Sequence, residues 1–214
     1  MMQLYSYWRS SAAYRVRVAL HWKGLPFEVI PIHLLKDGGQ QHHADYAAIN
    51  AQELVPTLID GEGVIAQSLA AIEYLEEMHP NPPLIFGDAL MRAKIRQLAM
   101  VIACDTHPLV NLRVLQHLAL TYGADDAMKN TWYHHWLKLG LDNLEWHAEQ
   151  GSRFLIGGQL SMADCCMIPQ LYNARRFQFP LDAYPKLLAI EAHCLSLEAF
   201  QKAAPEAQMD AVLP

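Results

Sequence analysis

Positively charged residues are scarce in this 214-residue chain: Lys and Arg number 16 against 22 Asp and Glu, and charged residues make up only 18% of the total. Without a basic stripe, neither nucleic acids nor anionic membranes are expected partners. No apolar run reaches the ~18 residues that a membrane span requires, and no basic leader with an apolar core opens the chain. We therefore expect a cytoplasmic protein.

Cysteine is also scarce, with four residues and no Cys-x-x-Cys pair. The eleven histidines include no His-Glu-x-x-His motif, and no Cys and His spacing resembles a zinc site. We therefore expect buried, reduced thiols and no bound metal. Apolar residues, by contrast, make up 52% of the chain, which is enough to fill a sizeable core.

The first twenty residues predict a strand, a turn and a helix. An aromatic-rich run, Leu4–Tyr7, precedes Ser10 and Ser11, and an apolar helix pattern then continues to Leu20. The first amides of a helix lack intrahelical acceptors and carry the positive end of its dipole. The turn is therefore suited to hold an anion, and a thiol bound there would have a lowered pKa.

The rest of the first eighty residues completes a thioredoxin-like order, βαβ followed by ββα. A tight hairpin at Gly61–Gly63 joins the last two predicted strands, and the following helix begins at Gln67 and Ser68. Because a proline enters the third strand in such folds in the cis form, we expect Val55–Pro56 to be a cis peptide bond. The predicted strands after the first are Phe27–Ile32, Leu54–Asp60 and Val64–Ala66.

A proline-rich stretch, Asn81–Pro83, predicts a domain boundary, after which the apolar period is helical almost throughout. We therefore expect a thioredoxin-like domain at residues 1–80, a linker at 81–87 and an all-helical domain at 88–214. The helices are expected to bend near Pro108, and a capping box at Ser161–Asp164 predicts a buried helix that ends near Arg176. From Pro205 onward we expect a loose tail.

Four segments resemble the zeta class of glutathione transferases, the family that includes the maleylacetoacetate isomerases: Tyr5–Ser11 with Arg15–Leu20, Lys36–Gln41, Gln67–Ala70 and Asn173–Phe177. One position departs from the family pattern, because Ala12 stands where a Cys usually follows the two serines. A further segment, Cys104–Pro108 with Asn111 and Arg113, resembles the related bacterial maleylpyruvate isomerases.

The resemblance implies that the chain uses glutathione as its cofactor. Ser10 is placed at the glutathione sulfur with Ser11 beside it, although Ser10 alone would be interpreted as an ordinary helix N-cap. The family pattern assigns the remaining contacts as follows: Gln41 near the glycyl end, Val55 with Pro56 at the cysteinyl backbone, Gln67 and Ser68 at the γ-glutamyl carboxylate, and His107, Asn111 and Arg113 in the middle segment.

The substrates of the family are dicarboxylates, and a guanidinium holds a carboxylate in two-point geometry. The expected substrate ligands are Arg9, His107, Arg113 and Arg176, and the expected catalytic residues are Ser10, Ser11, Arg9 and Arg176. Spacing along an ideal helix would put His107 and Asn111 on one face. Arg175 is expected at the surface, and Arg15 and Arg17 are expected to pair with acidic groups or with a partner subunit.

The implied activity is the glutathione-dependent cis–trans isomerisation of maleylacetoacetate in tyrosine and phenylalanine catabolism, by a homodimer with additional transferase activity. The cofactor's thiolate adds to the double bond, permits rotation and leaves. Two enzyme alternatives stay open: a maleylpyruvate isomerase, and a transferase acting on α-halo acids. A third alternative is a binding protein of the same fold that sequesters hydrophobic ligands. A glutaredoxin-like role fails because Ala12 and Ala13 occupy the turn where a redox cysteine is needed.

Overall fold

The computed structural model describes residues 1–212 and divides them into two units. The first unit comprises Met1–Leu84 together with residues 195–212, and the second comprises Ile85–Cys194. In chain order the strands are β1 (Met2–Ser6), β2 (Phe27–Pro31), β3 (Thr57–Asp60) and β4 (Gly63–Ala66). The helices are α1 (Ser11–Trp22), α2 (Ala44–Ala47), α3 (Ser68–Met78), α4 (Ala89–Met100), α5 (Leu112–Tyr122), α6 (Asp126–His147), α7 (Met162–Arg176), α8 (Pro185–Leu195) and α9 (Glu198–Ala203).

The first unit contains a four-stranded mixed sheet in the order β2-β1-β3-β4. Strand β1 is parallel to β2 and antiparallel to β3, and β3 pairs with β4 through an antiparallel hairpin. Leu4 is fully buried at the centre of β1, because alternate residues of the strand face the core. This arrangement confirms the thioredoxin-like fold, and the Val55–Pro56 bond is cis as predicted. Asn81–Pro82 is also cis, which the sequence did not indicate.

Helix α1 carries a guanidinium that is completely buried, that of Arg17. It donates to the carbonyl oxygens of Trp8 at 3.0 Å, Tyr7 at 3.4 Å and Ala203 at 2.9 Å, and to the Ser6 hydroxyl at 2.9 Å. Since a buried cation must have its donors satisfied, these bonds fix the turn that leads from β1 into α1.

The neighbouring guanidinium of Arg15 is 2% exposed and donates to the Ser68 hydroxyl at 3.1 Å, which ties α1 to the start of α3. Arg15 and Arg17 are both enclosed within the first unit. The prediction that they could pair with a partner subunit is therefore wrong, because neither side chain reaches the surface.

The C-terminal segment packs with the first unit, whereas the sequence analysis placed it in the helical domain. The Tyr14 hydroxyl donates to the Phe200 carbonyl at 3.5 Å, and the Asp210 carboxylate accepts the Trp8 amide at 3.0 Å. Gln208 donates to two carbonyls at the end of α9. The predicted loose tail is therefore wrong for residues 205–212, and its last two residues lie outside the described part of the chain.

In the second unit, α4 passes directly into a π-helical segment, Val101–Thr106. The Thr106 side chain packs against α6 at Gly140, where an added Cβ would lie 2.1 Å from the Thr106 hydroxyl. A glycine is required there because any side chain would push the two helical segments apart. Helices α4 and α5 are separated around Pro108, in agreement with the predicted break, since proline supplies no amide donor.

Helix α7 begins at the predicted capping box. The Asp164 carboxylate is fully buried and accepts the amides of Leu155 at 2.7 Å and Ser161 at 2.9 Å, and the Ser161 hydroxyl at 2.7 Å. Burial raises the pKa of Asp164 to about 6, and these hydrogen bonds oppose that shift. The carboxylate is therefore ionised at neutral pH and joins the loop before α7 to the start of the helix.

All four cysteines lie within the described residues, and none forms a disulfide. Cys165, Cys166 and Cys194 are buried as predicted, but Cys104 is exposed because it lies on the outer side of the π-helical segment. Across residues 1–212, no helix is both long enough and apolar enough to span a bilayer.

Replacing the buried carboxylate tests the capping box. Asp164→Asn removes the charged acceptor of three donors, so the free energy of unfolding should fall by about 1–3 kcal/mol in urea denaturation at neutral pH. The matched control is Asp126→Asn, because the Asp126 side chain is 94% exposed in the first turn of α6 and its loss should leave the midpoint unchanged. Equal midpoints for the two variants would contradict a structural role for Asp164.

Candidate functional site

Ser10 is the N-cap of α1, and its hydroxyl oxygen accepts the Ala13 amide at 3.2 Å. Within residues 1–212 the Ser10 side chain forms no other hydrogen bond. Its hydroxyl hydrogen is therefore available to donate to a ligand. The interpretation of Ser10 as an N-cap is confirmed. Capping uses the hydroxyl oxygen as an acceptor, so the same hydroxyl can still donate its hydrogen to a bound anion. Ser11 is buried in the first turn of the same helix.

Arg9 lies immediately before this cap. Its guanidinium stacks over the Trp8 ring at 4.6 Å and lies 3.4 Å from the Tyr7 hydroxyl. The Arg9 Nε is buried and has no acceptor among the described residues. An unpaired buried donor of a cation is costly, so this nitrogen is a candidate to bind an acceptor from a ligand.

Val55 is held in place by residues of α2 and the loop after it. The Tyr46 hydroxyl donates to the Leu54 carbonyl at 2.5 Å, and the Asn50 amide donates to the same oxygen at 2.8 Å. Val55 packs with Tyr46 and with the aromatic residues of the β1–α1 turn. In residues 1–212 no backbone hydrogen bond engages the amide or carbonyl of Val55, so this edge, a bend that precedes β3, is open to a ligand that pairs with it in strand-like fashion.

Gln41 is 8% exposed, in a short 3₁₀ turn, Gln40–His42. Its Nε2 lies 2.9 Å from the Nε2 of His42, and the His42 Nδ1 lies 2.5 Å from the Glu53 carboxylate. The Gln41 Oε1 is buried without a donor in the described part of the chain. A buried amide with one unpaired end indicates a place for a ligand.

The start of α3 is a second helix N-terminus near the predicted cofactor contacts. Gln67 is its N-cap, with φ of +72°, and contributes no side-chain oxygen to the first amides of the helix. Instead the Gln67 amide donates to Gln52 at 2.8 Å. Ser68 is the first residue of the helix rather than its N-cap. A strained backbone together with uncapped amides is typical of a binding site for a carboxylate.

His107 and Asn111 do not share a helical face, so that prediction is wrong. The His107 amide bonds five residues back to Ile102 at 2.7 Å, which ends the π-helical segment, and residues 107–111 then form a turn. The Asn111 side chain accepts the Arg113 amide at 3.0 Å as the N-cap of α5. Pro108 interrupts the helix that the spacing argument assumed.

The two arginines at the end of α7 differ in their contacts. Arg175 forms a two-point ion pair with Glu191 of α8, with both N···O distances at 2.5 Å. Arg176 is exposed, donates to the Asn173 amide oxygen at 2.7 Å and lies over the Phe177 ring at 5.8 Å. Arg175 is exposed, as expected, but its guanidinium is paired with Glu191 and therefore links α7 to α8.

The predicted residues therefore fall into two groups. In the first unit, Val55 packs with Tyr7 and Trp8 of the turn that precedes Ser10. The hydrogen bond from Arg15 to Ser68 joins the start of α3 to α1, the helix that Ser10 caps. The second unit contains His107 after the π-helical segment, Asn111 and Arg113 at the start of α5, and Arg176 at the end of α7. Within residues 1–212 no three His, Cys, Asp or Glu side chains are placed to hold a metal ion.

Sequence reasoning missed several residues that position the site: Arg17, His42, Glu53, Tyr46 and Asp210. Arg17 had a signal, since an arginine inside an otherwise apolar helix must bury its charge or distort the pattern. Glu53 adopts a φ of +55°, which no local sequence feature indicates. Asp210 contacts Trp8 across 202 residues, a separation at which sequence patterns carry no information.

Comparison with known proteins agrees with this geometry. The family described as the glutathione S-transferase N-terminal domain matches residues 4–83. A probable maleylacetoacetate isomerase from Vibrio cholerae is 48% identical over 97% of this chain and 97% of its own.

Two solved structures extend the comparison. A holo maleylpyruvate isomerase, described as a bacterial zeta-class glutathione transferase, has a TM-score of 0.94 at 41% identity and covers 98% of this chain and 100% of its own. A maleylacetoacetate isomerase from Anaeromyxobacter dehalogenans, with dicarboxyethyl glutathione and citrate in its active site, has a TM-score of 0.86 at 38% identity over 100% and 95% of the two chains. The chain belongs to the zeta-class glutathione transferases, the family of the maleylacetoacetate and maleylpyruvate isomerases.

Proposed function

We propose that this chain is a glutathione-dependent isomerase that converts maleylacetoacetate to fumarylacetoacetate. The observation that carries the proposal is the Ser10 turn, where a hydroxyl donor and a helix N-terminus meet beside Arg9. The similarity of the whole chain to the Vibrio cholerae relative supports the choice of substrate.

The first unit has the features that glutathione requires. The open edge at Val55 fits the cysteinyl backbone, and the uncapped start of α3 at Gln67 and Ser68 fits the γ-glutamyl carboxylate. The buried amide of Gln41 is placed at the glycyl end, although its unpaired atom is the Oε1 and a carboxylate would need its N–H. The Val55 edge and the start of α3 are two separate groups of unsatisfied donors or acceptors on one unit, and glutathione has a matching polar group for each of them.

When bound, glutathione supplies a thiolate that adds reversibly to the cis double bond and so permits rotation. Ser10 donates its hydroxyl hydrogen toward the sulfur, and the positive end of α1 favours the anion. Arg9 holds negative charge that develops on the substrate, because its Nε has no acceptor among residues 1–212. Ser11, buried in the same turn, helps to exclude water.

The substrate carboxylates require cations, and Arg176 is proposed as the main carboxylate ligand of the second unit. Its exposed guanidinium is oriented by Asn173 and Phe177. Arg113 is also exposed, near the start of α5, and His107 lies at the end of the π-helical segment. Both are proposed as secondary substrate contacts, and Asn111 acts mainly by capping α5.

Maleylpyruvate is the second candidate substrate, because the holo maleylpyruvate isomerase has a TM-score of 0.94 against this chain. Both substrates are dicarboxylates with an activated cis double bond, so the same groups of this chain would serve either. We place the activity in the cytoplasm, since an exposed Cys104 without a disulfide suits a reducing compartment.

Removing the Ser10 hydroxyl tests its role as a donor. Ser10→Ala should lower kcat for maleylacetoacetate by about 10²–10³-fold, as expected for loss of one positioned donor, while the Kd for glutathione changes little. The variant also loses a helix cap, so the matched control is Asp88→Ala, which removes the N-cap of α4. That control should keep full turnover. Turnover of Ser10→Ala near that of the unmodified protein would assign the role to Ser11 or to the backbone amides.

Removing Arg176 tests the carboxylate contact. Arg176→Ala should lower kcat/KM for maleylacetoacetate by roughly tenfold to a hundredfold, since a charge-assisted pair contributes about 1.5–3 kcal/mol. Arg176→Lys should recover part of the loss, because it keeps the charge but not the planar fork. Arg153→Ala, at an exposed position in the loop before α7, is the matched control.

A neutral alkylating substrate without carboxylates gives the internal reference for this variant. Its conjugation to glutathione should be unaffected by Arg176→Ala. An equal loss of both activities would show that the change damages the end of α7, and no loss of either would transfer the carboxylate contact to Arg9 or Arg113.

We also propose that the protein is a homodimer. Large apolar side chains are exposed in both units, with Val64 on edge strand β4 at 51% and Leu90 on α4 at 64%, and an interface between two copies could bury them. Light scattering at micromolar concentration should give twice the 24.2 kDa mass of the chain. A mass equal to that of one chain would contradict the proposal.

A further inference from the structure

The amide of Gln41 can present either an acceptor or a donor to a ligand, and its neighbours determine which. The side chain is more than nine-tenths buried, its Nε2 faces His42, and its Oε1 has no donor in the part of the chain that the structure describes. A half-turn of the amide would exchange the two ends. Gly39 leaves the space for this, since a Cβ there would lie 2.6 Å from the Gln41 Nε2 and 3.0 Å from its Oε1.

The protonation of His42 decides between these two orientations. The Glu53 carboxylate is an acceptor only, so the His42 Nδ1, at 2.5 Å from it, carries a hydrogen. The Gln41 Nε2 is a donor only, so the His42 Nε2 that it faces at 2.9 Å must be an acceptor. The arrangement therefore contains neutral His42 in its Nδ1–H form, with the Gln41 oxygen at the unpaired end.

Adding a proton to His42 reverses this pattern. The new Nε2–H lies 2.9 Å from the Gln41 amide and can donate to the Gln41 Oε1 after a half-turn of that amide. The Gln41 Nε2 then occupies the unpaired end as a donor. A carboxylate is repelled by an amide oxygen and bound by an amide N–H, so protonation of His42 prepares Gln41 for an anionic ligand.

We propose that His42 is a positioning residue for the cofactor: it takes up a proton when the glycyl carboxylate of glutathione binds, and thereby turns Gln41 from an acceptor into a donor. This inference rests on the proposed function only in placing the glycyl end at Gln41. It predicts that glutathione affinity is coupled to the charge of a side chain that does not touch glutathione.

Other ionisable groups surround the 3₁₀ turn and must be controlled for. The preceding turn, the end of β2 and α2 pack near it, and His43 follows it directly. Glu53 alone of these groups contacts the His42 ring. The remaining titratable or charged residues on or next to these elements are Glu28, His33, Lys36, Asp37, His43, Asp45 and Tyr46.

The test measures proton uptake on binding of S-methylglutathione, which has no thiol to ionise. Isothermal titration calorimetry in two buffers of different ionisation enthalpy should show net uptake of a fraction of a proton near neutral pH, because binding would favour the protonated form of His42. The affinity should rise roughly fivefold to tenfold between mildly alkaline and mildly acidic pH. An analogue with a glycyl carboxamide in place of the carboxylate should show neither effect.

Variants then assign the proton to His42. His42→Asn should abolish the uptake, whereas His43→Asn, a change at the exposed neighbouring histidine, should leave it intact. Glu53→Gln should also abolish it, because a neutral amide can donate to Nδ1 and lets uncharged His42 present its Nε2–H to Gln41. At alkaline pH that variant should bind S-methylglutathione at least as tightly as the unmodified protein, whereas a merely structural Glu53 would give weaker binding.

Two results would overturn the inference: proton uptake that persists in His42→Asn, or an affinity of the unmodified protein that does not change with pH. Either would leave the proposed function intact, because S-methylglutathione would still bind. Failure of every variant to bind S-methylglutathione at any pH would contradict the glutathione site itself.

Discussion

The buried guanidinium of Arg17 is the constraint on which the first unit depends. A cation with no exposure is tolerated only if its donors are satisfied, and the carbonyls of Tyr7, Trp8 and Ala203 satisfy them. The same bonds fix the turn before Ser10 and hold the end of α9 against α1. Binding chemistry at the Ser10 turn and the packing of the C-terminal segment therefore have one physical origin.

Backbone strain is concentrated in the loops around the proposed cofactor contacts. Within residues 1–212 the non-glycine residues with positive φ are Asp37, Glu53, Gln67 and Gln178, and the first three lie between β2 and α3. Such conformations cost about 1–3 kcal/mol each and persist where neighbouring contacts enforce them. Here those contacts orient Gln41 and leave the amides of α3 uncapped.

The elements that local chemistry determines could be predicted from the sequence. The Ser10 cap, the cis bond at Val55–Pro56 and the capping box at Ser161–Asp164 each depend on residues within a few positions of one another. The π-helical spacing before His107 could not be predicted, because it depends on how closely Thr106 and Gly140 approach. The bond between Asp210 and Trp8 likewise depends on the completed fold.

The same distinction between local sequence and completed fold applies to the candidate site. The residue types of the site could be predicted from the resemblance and from the chemistry of helix N-termini, but their hydrogen-bond partners could not. The contacts of Arg15 with Ser68, Arg175 with Glu191 and Glu53 with His42 join segments that are distant in sequence or that contain a residue with positive φ. The sequence therefore predicts which groups would meet a ligand, and the structure shows which neighbouring residues orient those groups.

The most direct measurement of the central claim is kcat/KM for maleylacetoacetate and for maleylpyruvate, each with and without glutathione, with the glutathione concentration followed in the same reaction. We expect isomerisation that requires glutathione, leaves the glutathione concentration unchanged and is faster with maleylacetoacetate. Turnover without glutathione, or consumption of one glutathione for each substrate converted, would contradict this expectation.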